Sequence, residues 1–386
     1  MSLPPRPIPF NRPFTTGNEL NYIAKAVQLG NISSDGHFSR QCSLLLEKQF
    51  AIGRVLLTSS CTAALEMAGC LFRLEPGDEV ILPSYTFVST ANAVVRVGAR
   101  PVFVDIRPDT MNIDETLIEE AITSRTRALI PVHYAGVACA MDRIMTIAGN
   151  HGLCVVEDAA QGVNAAFEGK PLGSMGLLGA FSFHETKNYT CGAGGALCIN
   201  DPSFVERAEI LRHRGTNRQQ FLNGTVDRYT WVDVGSSWAL TEICSAFLYA
   251  QLESMQAITE RRQFIYRYYM DRLQALESDG LLTRPLIPPQ CRSNYHLFHI
   301  ILPDEETRGG LLRYLRQRDI HAVFHYVPLH TSLMGERFGY VAGDLPVTEE
   351  MSGRLLRLPL FQDITEAEQD RVVDEITAFL RHRPAS

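Results

Sequence analysis

No CxxC pair occurs among the nine cysteines of this 386-residue chain, and their count is odd. Neither a disulfide framework nor a structural zinc site is expected, and a reducing cytoplasm fits best. No apolar run approaches the roughly 20 residues needed to cross a bilayer. The opening MSLPPRPIPF also sets prolines where a signal peptide needs an unbroken apolar stretch. A cytoplasmic protein without a membrane partner is expected. Runs of Lys and Arg are missing and the net charge is -7, which argues against a nucleic-acid partner, because phosphate backbones need concentrated positive charge. No GxGxxG turn follows an early strand, which argues against a dinucleotide oxidoreductase. Repeats, heptads and low-complexity segments are absent too.

What remains is enough apolar sequence, 45% of the chain, to fill a large core, and a length that predicts two domains. Short apolar runs read as buried strands: EVILPS at 79–84, PVFVD at 101–105, ALIPVH at 128–133, LCVVED at 153–158, GAFSF at 179–183 and GALCI at 195–199. Helical patterns alternate with them near 62–73, 88–97, 115–123 (with Asp114 as N-cap) and 140–150. That alternation predicts a wound α/β sheet, mostly parallel. Hardly any helix separates the last two strands, so part of the sheet is expected to be antiparallel. Helices follow at about 203–213, 240–253 and 259–277, then the proline-rich RPLIPPQ at 284–290 and β–α material. The expected division is a large domain over 15–255 and a smaller α+β domain over 256–386, with residues 1–14 as an N-terminal arm.

Several short stretches are candidates for chemistry. TSSCTAALEMA, Thr58 to Ala68, follows the strand-like RVLL and opens a helix. Such a turn aims backbone N–H groups and a helix dipole at an anion, or is simply N-capped by Ser60 or Thr62. VVEDAAQ ends a strand at Asp158, where a carboxylate faces the ligand crevice of an α/β sheet or caps the next segment. No His or Cys stands at ligand spacing from Glu157 and Asp158, so no metal is expected there. In HYVPLH, Pro328 prevents one helix from presenting His325 and His330 together. His184 and Glu185 lack the second histidine of HExxH. These histidines are substrate-side or structural candidates.

Lys187 stands apart from the surface lysines. It lies just past an apolar strand, five residues after Ser182, and shortly before the glycine-rich CGAGG. Desolvation there favours the neutral amine, a nucleophile for an aldehyde. Pyridoxal phosphate needs an amine, a carboxylate for its ring nitrogen, a phosphate cradle and a face to stack on. Lys187, Asp158, the 59–62 turn with Ser182, and an aromatic in SYTFVST would meet those needs in turn.

EDAAQ, SFHETKN, PSYTFVSTANAV, PVHYAG and VFHYVPLH together resemble the motifs of the DegT/DnrJ/EryC1/StrS sugar aminotransferases, from PFNRP near the start to RLPLF at 357–361. LIPVHYAGVACAMD, DIRPDTMNIDETLIEEAIT and GTNRQQF resemble the members that aminate dTDP-4-dehydro-6-deoxyglucose for enterobacterial common antigen. The resemblance implies a pyridoxal-phosphate enzyme of fold type I, a homodimer with active sites at the subunit interface, and L-glutamate as amino donor. It implies that Lys187 binds the cofactor covalently, Asp158 pairs with the ring nitrogen and Gln161 contacts the ring hydroxyl side. Phe87 would stack on the ring, Ser182, Cys61 and Thr62 would hold the phosphate, and His184, His325, Tyr326 and His330 would lie nearer the sugar nucleotide.

Two departures from the pattern stand out. Ala193 occupies the place of a Glu common after the lysine, and Ser237, in GSSWAL, that of an Asn reaching the partner's phosphate; its hydroxyl remains a cofactor-binding candidate. Arg212, Arg214 and Arg218 are either diphosphate ligands or charges suited to a helix C-terminus. The alternatives are a sibling acting on a UDP-4-keto or 3-keto sugar and a non-catalytic, regulatory binder of the cofactor or sugar nucleotide.

Overall fold

The computed structural model describes residues 6–382. Residues 1–5 of the expected arm and 383–386 of the expected C-terminal domain lie outside them. The described residues form twelve strands in chain order: β1 Arg54–Thr58, β2 Glu79–Pro83, β3 Arg100–Val104, β4 Thr126–Leu129, β5 Cys154–Asp158, β6 Ala166–Phe167, β7 Lys170–Pro171, β8 Leu178–Ser182, β9 Gly195–Ile199, β10 Cys291–Arg292, β11 Phe298–Ile301 and β12 Leu355–Leu358. Seven build the central sheet in the order β1-β9-β8-β5-β4-β2-β3. Strands β2, β8 and β9 are buried at every residue, which is why they read as continuous apolar runs. Successive residues serve opposite faces: Val155 enters one core layer and Val156 the other.

β9 runs antiparallel to both β1 and β8, as the missing crossover helix predicts, while the other pairs in the sheet are parallel. Register then does the positioning. Thr58 and Ser182 both stand opposite Gly195, so the ends of β1 and β8, the start of β9 and the end of β5 meet at one sheet edge. Ligands of open α/β sheets bind at that edge.

The helices are α1 Glu19–Gln28, α2 His37–Phe50, α3 Cys61–Leu71, α4 Val88–Val95, α5 Met141–His151, α6 Val205–Arg212, α7 Arg218–Leu222, α8 Glu242–Glu253, α9 Met255–Arg272, α10 Gln274–Ser278, α11 Glu305–Arg316, α12 Leu333–Arg337, α13 Pro346–Arg354 and α14 Glu366–His382. A separate apolar core joins α9, the antiparallel pair β11–β12, α11 and α14, and takes Ile8 from the N-terminal segment. The backbone of Ile8 is tied to Asp319 and His321.

Three local readings change. The helix expected over 115–123 is two 3-10 turns, Glu115–Leu117 and Glu119–Ala121. Ile122 is extended (ψ 129°) and the Thr123 hydroxyl donates to Glu79 at 2.5 Å; that bond draws the chain off the helical path. Asp114 still caps, accepting from Thr116 N at 3.0 Å. The pattern expected over 259–277 is α9 and α10, beginning at Met255. Helices α1 and α2 arise where no element was read.

Candidate active site

Helix α3 begins directly behind β1. Ser60 caps it, its Oγ accepting from Ala63 N at 3.0 Å, and the first intrahelical acceptor serves Ala64. The N–H groups of Cys61 and Thr62 are therefore left for an outside acceptor at the positive end of the helix dipole. Gly195 permits this arrangement. A Cβ at that position would stand 2.3 Å from Cys61 N, so only glycine lets β9 run beneath the helix start.

The loop between β8 and β9 carries Lys187 and is tied at several points. Glu185 N donates to Gly192 O at 2.9 Å, and Cys191 N to Phe183 O at 3.0 Å. Asn188, the next residue, is buried; its Nδ2 donates to Asn294 O at 2.9 Å and its Oδ1 accepts from His296 Nδ1 at 2.8 Å. These bonds hold the backbone from which the Lys187 side chain enters the cavity.

Lys187 and Asp158 line the same cavity of about 320 Å³. Burial pushes the Lys187 ammonium down to about 8 from its ordinary 10.5; the neighbouring Cys61 and Asp158 oppose the fall and the Arg357 guanidinium adds to it. Burial raises the Asp158 carboxyl against the pull of two hydrogen bonds, from Thr90 Oγ1 to Oδ2 (2.8 Å) and from Ala160 N to Oδ1 (3.1 Å). Burial likewise holds the Cys61 thiol well above its usual range.

Of the residues named from sequence, the cavity also takes in Cys61, Thr62, Phe87, Gln161, Ser182, His184, His325 and Tyr326. Phe87 precedes α4 and is 58% exposed, with its ring free to meet a planar ligand. Gln161 is fixed at both ends: Oε1 accepts from Ala135 N at 2.8 Å and Nε2 donates to the Tyr326 hydroxyl at 3.1 Å. Ala193 lines the wall where a carboxylate stands in the family pattern.

Two candidates fall elsewhere. His330 is buried between Ser84 Oγ (2.7 Å from Nδ1) and Glu349 Oε1 (2.9 Å from Nε2), tying the 329–349 segment to the end of β2. Ser237 is exposed, outside this cavity, and accepts from Arg214 at 3.1 Å. Arg212 pairs with Asp35 at 2.6 Å rather than facing the cavity. Among the described residues no group of three His, Cys, Asp or Glu could hold a metal, and no helix is long and apolar enough to cross a membrane.

Sequence reasoning missed Thr90, His296 and Arg357, which line the cavity as well. Thr90 lies four residues after Thr86, which precedes the α4 cap Phe87, and the two hydroxyls bond at 2.8 Å. Arg357 was legible as a lone charge inside the apolar strand LLRL.

The residues fit pyridoxal phosphate on structural grounds alone. A lysine whose proton affinity burial lowers and a buried carboxyl line one cavity, and the start of α3 lines it too, with the Ser60, Thr62, Ser89 and Ser182 hydroxyls, a set that suits an anion.

Known proteins agree. A model of the DegT/DnrJ/EryC1/StrS aminotransferase family matches residues 14–377. The pleiotropic regulatory protein of Geobacillus stearothermophilus is 35% identical over 321 residues, 83% of this chain and 82% of its own. Among solved structures, DesV of S. venezuelae is 29% identical with a TM-score of 0.89, covering 99% of this chain and 100% of its own. Spr1654 of Streptococcus pneumoniae, in its apo form, is 25% identical with a TM-score of 0.90 over 97% of this chain and 98% of its own. That protein has also been solved in PLP and PMP forms.

Proposed function

The chain belongs to the DegT/DnrJ/EryC1/StrS aminotransferase family, and from that premise we propose that it moves an amino group from L-glutamate to C4 of a nucleotide-linked 4-keto-6-deoxyhexose. It is a pyridoxal-phosphate-dependent aminotransferase with the α/β fold of that group. The substrate we assign is dTDP-4-dehydro-6-deoxy-D-glucose and the product dTDP-4-amino-4,6-dideoxy-D-galactose, made in the cytoplasm for enterobacterial common antigen or O-antigen. Sequence likeness supports that choice of sugar. The observation that carries the chemistry is Lys187 and Asp158 in one cavity.

When bound, pyridoxal phosphate supplies an aldehyde for an amine and a cationic ring that draws electrons from the carbon beside that amine. Lys187 would hold it covalently, Asp158 would face its ring nitrogen, and Gln161, already locked by Ala135 and Tyr326, its hydroxyl side. The N–H groups of Cys61 and Thr62 with Ser182 would hold the phosphate, and Phe87 would cover a ring face. Lys187 Nζ, whose hold on a proton burial weakens, would take the proton from Cα of the donor and return one to C4 of the sugar. The side from which Nζ reaches C4 sets whether the amine is axial or equatorial. His184, His325 and Tyr326 stand on the substrate side.

We assign the working form as a homodimer with active sites at the interface. Exposed apolar side chains near the cavity mouth and on the 221–234 segment support it, among them Phe87, Val88, Trp231 and Val234. In that assembly Ser237 would serve the partner's phosphate.

The word regulatory in the Geobacillus relative's name keeps a second, non-catalytic reading open to test; the desolvated Lys187 favours catalysis. Offering dTDP- and UDP-linked 4-keto and 3-keto hexoses with L-glutamate, and identifying the aminated sugar by NMR, decides among the readings. Equal use of UDP sugars, or amination at C3, would overturn the substrate; no amination of any sugar would overturn the enzyme reading.

A further inference from the structure

Beside the main cavity lies a second void, of about 10 Å³. Gln161, Lys187 and His296 line both spaces, and Asn188 and Asn294 add to the wall of the smaller one. An internal water needs roughly 10–15 Å³ and two to four polar partners. The void has that size, and its wall is rich in polar side chains.

The hydrogen bonds around His296 fix which of its nitrogens carries the proton. Arg262 of α9 donates to Tyr295 O at 3.0 Å and to His296 O at 2.5 Å, which holds the backbone. Asn188 gives Nδ2 to Asn294 O at 2.9 Å, so its Oδ1 is the end that meets His296 Nδ1 at 2.8 Å. An amide oxygen only accepts, and Nδ1 is therefore the protonated nitrogen. Burial, with Lys187, Arg262 and Arg357 nearby, holds the ring well below the usual histidine range. The imidazole is thus neutral and Nε2 is a bare acceptor. Its bond to Asn188 is the one side-chain hydrogen bond that His296 makes among the described residues.

We propose that His296 Nε2 seats one water molecule beside Lys187, and that this water is the one amino transfer consumes and returns. This rests on the aminotransferase reading above and adds the water's site to it. Releasing the keto acid takes one water. Its oxygen bonds to the donor's Cα as that carbon's bonds to nitrogen break, and both hydrogens of the water end on the nitrogen, which stays with the cofactor. The sugar half runs the exchange backwards, with C4 giving up its oxygen as water, so none is used overall. The carbon that water attacks is the one Lys187 has just relieved of a proton, so the water's site has to adjoin Lys187. His296 Nε2 accepts one hydrogen of the water, takes that proton as the C–O bond forms and passes it to the nitrogen. Two donors complete the water's partners: Lys187 while protonated, and Gln161, whose Nε2 keeps a second hydrogen beyond the one given to Tyr326.

Single turnovers of the cofactor-loaded enzyme with α-deuterated L-glutamate separate the two steps: washout of deuterium reports the proton leaving Cα, and release of 2-oxoglutarate reports the water. His296→Phe is expected to slow release roughly 100-fold and to leave washout within about threefold of wild type. His296→Gln, which keeps an acceptor but no base, should fall between and serves if the Phe variant does not fold. Crystal structures of the full chain, with and without cofactor, should show a water on Nε2 in the wild type and none there in His296→Phe. Equal slowing of both steps, unchanged release, or a wild type without that water overturns the site. A wild type that washes out no deuterium and releases no keto acid, yet carries the water on Nε2, would instead remove the aminotransferase reading and leave the water's site standing.

Discussion

Thr90 donates its hydroxyl to Oδ2 of Asp158 at 2.8 Å, and its own oxygen is met by the Thr86 hydroxyl at 2.8 Å. A carboxylate only accepts, so the chain of donation runs from Thr86 through Thr90 to the acid. This bond counters the burial that raises Asp158. Thr90→Val should cost about 1 kcal/mol of cofactor binding, roughly a fivefold weaker dissociation constant, and Thr90→Ser should restore it. Equal affinity in the valine variant would show that the hydroxyl does not tune the acid.

Asp158→Asn removes the charge itself. The rate of amino transfer should drop by roughly 100-fold or more, the scale of losing one pre-placed electrostatic partner, while the fold stays intact by circular dichroism. A variant within a few-fold of wild type would exclude Asp158 as partner of a cationic ring.

The pH dependence follows from the sign of the lysine shift. Lys187 is lowered in the folded chain to about 8 from 10.5, so above pH 8 the native protein has given up a proton that the unfolded chain keeps until about 10.5. Stability from this group is therefore smallest below pH 8 and grows as pH rises toward 10.5. In the apo-protein, reductive methylation of Lys187 with formaldehyde, followed by mass spectrometry, should rise with a midpoint near pH 8. A midpoint near that of surface lysines would mean the amine is solvated. Lys187→Ala should abolish the visible absorbance of the cofactor-loaded protein.

Glu242, the first residue of α8, closes the N-terminus of α2. Its carboxyl accepts from Gly36 N at 3.0 Å and Ser39 N at 3.2 Å, and from Phe38 N and Ser39 Oγ as well. No side chain of α2's own N-cap does this job. Glu242→Ala leaves those buried donors unpaired and should lower stability in urea by about 3 kcal/mol; a loss below about 0.5 kcal/mol would mean that water replaces the carboxyl.

Trp231 and Val234 are 75% and 73% exposed and stand with exposed Phe221, Leu222, Tyr229 and Val232 on one segment, an apolar run that suits a contact. If they meet a second copy, Trp231→Glu with Val234→Asp should shift the protein to a monomer in light scattering and lower its activity. A double variant that keeps wild-type mass would place the dimer contact elsewhere.

The core strands were legible because burial on both faces leaves a plain mark, an unbroken apolar run such as EVILP or GALCI. Lys187 and Asp158 were legible for a related reason: each is a charged residue just past or at the end of such a run, where the chain leaves the core. Other features depend on partners far along the chain. The 115–123 segment has helical spacing, yet Thr123 finds Glu79 and the backbone straightens. His330 carries the same side chain as His325, and only folding sends one to Ser84 and Glu349 and the other to the cavity.

Local order along the chain thus determined which residues would form the sheet, which lysine would lie at its edge, and which acid would end β5. The short connection before β9 already foretold its reversal; tertiary structure alone decided the register by which Thr58, Ser182 and Gly195 share an edge, and that Arg357 of β12 lines the same cavity as Lys187. The physical reason is range: apolar runs and turns act over a few residues, whereas register and the pairing of buried charges are settled only when distant segments meet.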